Sequence, residues 1–516
     1  MRLLATPHFP YSAFRVLGMR GAIAAGHPLT AEVGAHVLGE GGNAVDACIA
    51  AGFASWVAES PLTGAGGGGF MLIHRERDRS TRVLDFFTAM PGRGLAVRSG
   101  AEMDEVDIDF SGGSHQVFKI GPASVAVPGT TLGLETAHRA FGTLPWGELV
   151  APAAELARRG FELTRPQAYL HAILDLILRH SYEGRRIYGN EGERLVAGDT
   201  LRLPDLAGSL DLIAEEGAAA VYGGELGRAL VEVVREGGGT LTVDDLAAYR
   251  VIRRRPVRSP YAGHEFLSNP PPSAGGVLIA FGLEVLDRLP GGPAGSAEAI
   301  AGLATAMAEQ HRAREEPGFE TGLYRGGLLQ RLERRAVTTG TTHISVVDAE
   351  GNAAAMTVST GSGSGVFAPG TGLALNNMLG EFNAAGPVPI GERLSSSMSP
   401  SLVTEDGRTR LVAGSAGSLR LRGAVMQVVV NVIGHGLGVE EAIERPRVHL
   451  EGGELHCEGG HDPAELDRLE AMGWELVRWR RRNLYFGGAA AVEVRPDGSL
   501  HAAGDARRGG AGIVVE

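Results

Sequence analysis

The sequence is nearly devoid of cysteine and lysine. Its 516 residues include two cysteines, Cys48 and Cys457, and Lys119 is the single lysine among 48 basic residues. Two cysteines exclude a disulfide framework, and Cys48, within an apolar helical pattern, is expected to be a buried thiol. The histidines show no metal-ligand spacing, so we predict neither a metal nor a cofactor.

The sequence also lacks a long apolar run and a basic cluster. No window has enough consecutive apolar residues to cross a bilayer, and the first 26 residues never build the apolar core of a signal peptide. A formal net charge of -12 argues against nucleic acid as a partner. We therefore expect a cytoplasmic protein with no membrane and no nucleic-acid partner.

The overall composition is that of a globular protein. Hydrophobic residues make up 44% of the chain and charged residues 21%. The length allows two or three ordinary domains or one large layered domain with a substantial core. The apolar periodicity by itself predicts only a mixed, layered architecture of helices and strands.

A pair of threonines begins the most informative segment. Residues 341–348 and 353–360 are rich in β-branched side chains and flank a Gly-Asn turn, which predicts a β-hairpin. If the chain were cut after Gly340, Thr341 would carry both a hydroxyl and a free α-amine. The pKa of such an amine is about 7.7 to 8.0, so near neutral pH it can accept the hydroxyl proton. The nucleophile and its base would then lie on one residue.

The segment TTHISVVDAEGN at 341–352 resembles the processing site of the γ-glutamyltransferase (γ-glutamyltranspeptidase) family. Stretches in the same order as in that family lie at residues 41–47, 64–70, 127–129, 269–276, 375–377, 396–400 and 414–417. The resemblance implies an N-terminal-nucleophile (Ntn) hydrolase of the α+β class, a four-layer αββα sandwich. It also implies one precursor, cut into a large subunit (1–340) and a small subunit (341–516) that together form one domain. A dimer of these heterodimers is left open.

The same resemblance implies the catalytic residues. Thr341 is expected to be the nucleophile, and the backbone N–H groups of Gly417 and Ser418 to bind the oxyanion of the tetrahedral intermediate. Removing such a donor typically lowers the rate roughly 10²- to 10³-fold. Ser418 stands where the family has a second glycine. Ser359 stands at a threonine that lies beside the nucleophile and assists processing, and a serine keeps that hydrogen bond.

Part of the family's substrate-binding set is retained. Ser396 and Ser397 occupy the positions that contact the substrate's α-carboxylate. Glu381 stands at an aspartate that pairs with the α-amine, so the charge is kept and the reach is altered. The connection at 382–393 is short and has no lid segment. A more open and more apolar acyl pocket is expected.

The rest of that set is replaced. Phe87 stands at the arginine that holds the α-carboxylate, Met378 at a glutamine and Gly361 at an asparagine. Losing a guanidinium opposite a carboxylate costs on the order of 2 to 5 kcal/mol unless another group replaces it. Arg393 and Arg420 are candidates for that replacement, with a purely structural role as the alternative.

We expect an enzyme that acts on a small-molecule amide through an acyl-enzyme and passes the acyl group to water or an amine. γ-Glutamyl amides such as glutathione are the first expected substrates, and an amidohydrolase or acylase acting on a non-glutamyl amide is the alternative. An alternative from a different functional class is an uncut, catalytically idle relative that serves as a binding protein. Nucleotide binding is disfavoured, because no Gly-Lys-Ser/Thr follows the glycines at 64–69.

Overall fold

A computed structural model describes residues 20–96, 101–109, 115–315, 340–381, 388–417 and 420–516. Ser418, half of the short connection at 382–393 and the segment before Gly340 lie outside the described residues. No helix in the described ranges is long and apolar enough to cross a membrane.

The described strands are, in chain order, β1 (Gly21–Ala25), β2 (Gly68–Arg75), β3 (Ser80–Phe86), β4 (Asp104–Asp109), β5 (His115–Ile120), β6 (Phe161–Glu162), β7 (Gly189–Asn190), β8 (Glu193–Arg194), β9 (Thr200–Leu201), β10 (Ile252–Arg254), β11 (Val257–Tyr261), β12 (His264–Ser268), β13 (Thr342–Asp348), β14 (Ala353–Ser359), β15 (Phe367–Ala368), β16 (Leu373–Ala374), β17 (Ser401–Glu405), β18 (Arg408–Ala416), β19 (Val448–Glu451), β20 (Glu454–Cys457), β21 (Leu476–Arg478), β22 (Gly488–Val494), β23 (Leu500–Gly504) and β24 (Ala511–Val515).

The described α-helices are α1 (Pro28–Gly39), α2 (Ala44–Ala58), α3 (Thr130–Phe141), α4 (Trp146–Arg159), α5 (Arg165–Ile173), α6 (Asp175–Leu178), α7 (Tyr182–Tyr188), α8 (Pro204–Glu216), α9 (Ala219–Tyr222), α10 (Glu225–Glu236), α11 (Val243–Ala248), α12 (Ala274–Asp287), α13 (Ala297–Glu315), α14 (Met378–Glu381), α15 (Leu421–Val429), α16 (Val439–Glu444) and α17 (Pro463–Ala471).

Two antiparallel sheets form the centre of the molecule. Their strand orders are β10-β3-β2-β14-β13-β1-β24 and β11-β12-β17-β18-β22-β23. Side chains alternate along each strand, so Phe70 of β2 packs between the sheets with Leu402 of β17, whereas Met71 faces the helices. Helices α1 and α2 cover the first sheet, and α12 and α15 cover the second. This succession is the expected four-layer αββα sandwich, so the predicted architecture is confirmed.

The predicted hairpin is confirmed and lies in the middle of the first sheet. Strands β13 and β14 pair antiparallel, with Val347 opposite Ala353. Asp348 Oδ1 closes the turn by accepting hydrogen bonds of 3.0 Å from the backbone N–H groups of Glu350 and Asn352. β1 and β2 flank the hairpin, and every residue of β13 is buried. The threonine pair is therefore held by a rigid part of the fold.

Helix α2 brings a carboxylate to the same end of the sheet. Its N-terminus is closed by a capping box between Asn43 and Asp46, and all of its residues are buried. Cys48 lies inside it as a buried thiol, as predicted. The helix ends at Ala58, so the next residue, Glu59, lies beside the start of β13.

Candidate active site

Thr341 lies immediately before β13, and its side chain is fully buried. Its Oγ1 has no hydrogen-bond partner within the described part of the chain. A buried hydroxyl without a partner loses roughly 1 to 3 kcal/mol of solvation, so native structures contain few of them. Such a group is a candidate for chemistry, and this one belongs to the residue predicted to be the nucleophile.

The peptide bond before Thr341 is contacted by Ser359. Ser359 Oγ donates a hydrogen bond to the carbonyl oxygen of Gly340, and Ser359 Oγ itself accepts one of 2.8 Å from the N–H of Gly361. A donor on a carbonyl oxygen stabilises the negative charge that develops there when the carbon is attacked. Ser359, at the end of β14, therefore touches the bond expected to be cut.

Thr342 binds a buried carboxylate that the sequence analysis missed. Thr342 Oγ1 donates to Glu59 Oε2 at 2.5 Å, and Thr30 Oγ1 donates to Glu59 Oε1 at 2.8 Å. Burial raises the pKa of Glu59 to about 7, against the opposing effects of both hydroxyls and of Arg508. The sequence did contain a signal for Glu59: it is a carboxylate at the C-terminal end of an apolar helix, where the helix dipole disfavours a negative charge.

His343 has a structural role. Its Nδ1 and Nε2 are hydrogen-bonded to the hydroxyls of Thr357 and Ser345 at 2.8 and 2.9 Å. Burial lowers its pKa to about 3, so the ring is neutral at physiological pH. With both ring nitrogens engaged, His343 is not available as a base for Thr341.

A cavity of about 40 Å³ adjoins Thr341, and Glu59, Ala416 and Arg508 are among the residues that line it. This volume holds about two or three water molecules. Gly417 follows Ala416 with φ of +132°, and a Cβ at this position would lie 2.8 Å from the Cα of Gly487. Glycine is therefore required where the chain turns past the cavity. Ser418, the second expected oxyanion residue, is outside the described residues.

Phe87 and Met378 belong to the hydrophobic core between the sheets. Phe87 is 1% exposed and stacks on Phe70, with ring centroids 5.6 Å apart and planes inclined by 14°. Met378 is 3% exposed in the same cluster. Packed apolar side chains thus fill the two positions at which the family resemblance implies an arginine and a glutamine.

The retained polar residues are buried and hydrogen-bonded. Ser396 Oγ accepts a hydrogen bond of 3.0 Å from the N–H of Met398, and Ser397 is buried beside it. Glu381 Oε1 accepts one of 2.8 Å from the N–H of Ser362, and a Cβ at Gly361 would lie 2.9 Å from that oxygen. Glu381 therefore lies on the Gly340–Ser359 side of Thr341.

Of the two candidate replacements for the missing arginine, Arg393 is fully engaged elsewhere. Its Nε donates to Asp85 Oδ1 at 3.2 Å, its guanidinium lies 4.3 Å from the ring centroid of Tyr249, and its side chain is 6% exposed. Arg420 lies 4.2 Å from the ring centroid of Tyr485 and 3.8 Å from Glu451. These contacts with Asp85 and Tyr249 correspond to the alternative expectation for Arg393, a structural role in place of substrate binding.

The helix, sheet, sheet, helix layering around a buried threonine at the head of a central strand defines the class of Ntn hydrolases. The sequence matches the Gamma-glutamyltranspeptidase family at residues 30–318 and 327–515, and the chain belongs to this family. The expected family and fold class are thereby confirmed.

Relatives of two kinds match almost the whole chain. An acylase ACY 1 proenzyme of Pseudomonas sp. (strain SE83) is 35% identical, covering 96% of this chain and 94% of the relative. The glutathione hydrolase proenzyme of Escherichia coli (strain K12) is 33% identical, covering 95% and 91%. The crystal structure of a cephalosporin acylase from Bacillus halodurans shares the fold, with a TM-score of 0.82 at 24% identity over 100% of this chain and 99% of that one.

Proposed function

We propose that the chain cleaves itself between Gly340 and Thr341. Thr341 Oγ attacks the carbonyl carbon of Gly340, the C–N bond breaks as a C–O ester bond forms, and the hydroxyl proton passes to the departing nitrogen. Water then hydrolyses the ester and leaves residues 1–340 and 341–516. The hydrogen bond from Ser359 to the Gly340 carbonyl supports this step.

In the cleaved enzyme, Thr341 attacks the carbonyl carbon of an amide substrate. Its own α-amine accepts the hydroxyl proton and delivers it to the leaving amine, and water or a second amine later removes the acyl group from Oγ. The backbone N–H groups of Gly417 and Ser418 are the proposed oxyanion donors. Support comes from the turn at Gly417, which directly follows a residue that lines the cavity beside Thr341.

The acyl group is proposed to be less polar than γ-glutamyl. The main observation in favour of this proposal is the position of Phe87 in the hydrophobic core. A γ-glutamyl head group has a carboxylate that needs donors. Because Phe87 and Met378 are packed into the core at the positions where the resemblance expects an arginine and a glutamine, they supply no donor to that carboxylate, and a poorly compensated charge costs several kcal/mol. An apolar acyl group needs no such donors, which favours an acylase acting on amides of apolar acids.

γ-Glutamyl amides remain the second candidate, because part of the head-group set is retained. Ser396, Ser397 and Glu381 are all buried, and Glu381 lies near the Gly340–Ser359 contact. The glutathione hydrolase relative supports this alternative. These residues would hold the ammonium and part of the carboxylate.

Cleavage is tested by following purified protein on a denaturing gel, with Thr341→Ala as the control. Two pieces of unequal size that form in the wild type and not in the variant are expected. Full-length wild type that persists on incubation would contradict the proposal and favour an uncut binding protein.

Substrate choice is tested with p-nitroanilides of γ-glutamic, butyric and octanoic acid, assayed with the cleaved protein. We expect kcat/KM to be higher for an aliphatic acyl group than for γ-glutamyl. A preference for γ-glutamyl would reverse the order of the two candidates, and turnover that survives in Thr341→Ala would exclude Thr341 as the nucleophile.

A further inference from the structure

We propose that Arg508 binds a carboxylate on the amine side of the substrate, in the cavity beside Thr341. This inference rests on the proposed amide chemistry and specifies the leaving group or acceptor. Arg508 lines the cavity together with Thr341 itself. Its Nε and Nη1 are buried and have no hydrogen-bond partner among the described residues. A buried guanidinium with unused donors requires an acceptor that the described protein does not supply.

Within the described structure, Arg507, the adjacent arginine, is paired with carboxylates of the protein, unlike Arg508. Arg507 donates to Glu458 Oε1 at 2.7 Å and to Asp505 Oδ1 at 3.0 Å, so its charge is compensated within the protein. Arg447 also pairs with Asp505, at 2.7 Å. Arg508 makes no hydrogen bond or ion pair with these carboxylates within the described residues and lines the cavity with Thr341 instead. Its position is not explained by the local ion pairs.

Gly488 makes room for the Arg508 side chain, and Gly417 lies beside its guanidinium. A Cβ at Gly488 would lie 2.5 Å from Arg508 Cδ, so any larger residue there would displace the arginine side chain. A Cβ at Gly417 would lie 3.8 Å from Arg508 Nη2. The guanidinium therefore lies next to the turn proposed to bind the oxyanion, within reach of a group attached to the reacting amide.

The charges around Arg508 favour an anion. Burial, and then repulsion from Arg420, lower its pKa to about 10 against the weaker attraction of Asp505 and Glu59, so the guanidinium remains protonated at neutral pH. Glu59 lies on the cavity wall, but no ion pair joins the two side chains in the described structure, and both Glu59 oxygens accept threonine hydroxyls. A carboxylate matches a guanidinium in shape and charge and would fill the unused donors.

The position of Gly340 indicates which side of the substrate enters the cavity. In the uncut chain the Gly340 carbonyl is the acyl group that Thr341 attacks, and Gly340 packs against Gly361, on the side of Glu381. Among the described residues that line the cavity, none belongs to the expected acyl-binding set of Phe87, Met378, Glu381, Ser396 and Ser397. If the acyl group of a substrate occupies the position of Gly340, the amine part of the substrate extends into the cavity toward Arg508.

The test compares acylglycine with acylglycinamide, which differ only in the charge of the amine part. The acyl group is the one preferred among the p-nitroanilides, and the proteins are cleaved wild type, Arg508→Ala, Arg508→Lys and the surface control Arg495→Ala. We expect Arg508→Ala to lower kcat/KM for acylglycine about 10- to 100-fold, the size of a lost charged hydrogen bond, with little change for acylglycinamide. Arg508→Lys should recover part of the loss, and Arg495→Ala should behave as wild type.

Equal losses on both substrates in Arg508→Ala would overturn the proposal, because they would indicate a structural role. A second pair, glutaryl and butyryl p-nitroanilide, places the carboxylate on the acyl side. A loss confined to the glutaryl substrate would also overturn the amine-side assignment.

A binding measurement separates this inference from the proposed activity. Calorimetry with glycine and glycinamide, the amine products of the two substrates, does not depend on turnover. Tighter binding of the free acid to wild type, lost in Arg508→Ala, supports the carboxylate site even if every amide proves inert. Equal binding of acid and amide to wild type would overturn it even if the enzyme hydrolyses amides.

Discussion

Ser359 Oγ donates its hydrogen bond to the carbonyl oxygen of Gly340, in the peptide bond that precedes Thr341. The contact is made across the central hairpin, between the end of β14 and the residue before β13. One hydroxyl thus polarises the carbonyl while the hydroxyl of Thr341 has no hydrogen-bond partner within the described chain. The division of roles suits an intramolecular attack.

Replacing Ser359 by alanine should slow self-cleavage about 100-fold, as expected when one donor to a developing oxyanion is lost. The rate is measured from the decay of the full-length band. Ser359→Thr keeps the hydroxyl and should cleave close to the wild-type rate. If Ser359→Ala is cut as fast as wild type, the contact has no part in processing.

Glu59 should make the stability of the protein depend on pH. Its pKa in the folded protein is about 7, above the ordinary value of 4.5, so the folded state binds this proton more tightly than the unfolded state. The resulting stabilisation is complete below about pH 4.5 and is lost as pH rises through about 7, an effect on the order of 3 kcal/mol.

Glu59→Gln removes the titrating group and keeps partners for the hydroxyls of Thr30 and Thr342. Thermal unfolding midpoints at pH 5 and pH 8 provide the comparison. The wild type should lose more stability than Glu59→Gln between these two values. Parallel behaviour of the two proteins would show that Glu59 does not titrate in this range.

The sequence could predict the hairpin, because the signal is local: β-branched runs, a Gly-Asn turn and a threonine pair within 20 residues of one another. Glu59 and Arg508 could not be found in this way, because they are far from Thr341 in the sequence and share its cavity only through the folding of α2 and of the turn at 506–508 that follows β23. Arg393 illustrates the converse. It is near Ser396 in the sequence, but its guanidinium is held by Asp85 and Tyr249.

Restoring the arginine expected from the family resemblance should not restore γ-glutamyl binding. Phe87→Arg places a cation among Phe70, Met378 and Leu394 in the core between the sheets. We expect a lower unfolding midpoint and no gain in γ-glutamyl p-nitroanilide turnover, because an unpaired buried charge costs several kcal/mol. Phe87→Leu is the control, expected to lose some packing but less stability than Phe87→Arg, because it buries no charge. A stable, more active Phe87→Arg would show that the site accommodates the family's mode of binding.

The two products of cleavage should stay together without a covalent link. In the first sheet the hairpin β13–β14, from the small subunit, is paired on both sides with β1 and β2 of the large subunit. Separating them would expose the cores on both faces of the sheet, at about 25 cal/mol for each Å² of apolar surface. Size-exclusion chromatography of cleaved protein should give one species containing both pieces. Separate elution without denaturant would contradict the shared sheet.

Gly417 should be required for catalysis beyond its effect on stability. Gly417→Ala forces an alanine into a backbone conformation with φ of +132°. Its Cβ would lie 2.8 Å from the Cα of Gly487, a backbone atom that cannot move aside as a side chain could. The displaced N–H should lower kcat about 100-fold. Gly453→Ala, also at positive φ (+94°) but with no atom within 4 Å, is the matched control for backbone strain alone. Equal kcat values in the two variants would remove Gly417 from the proposed oxyanion site.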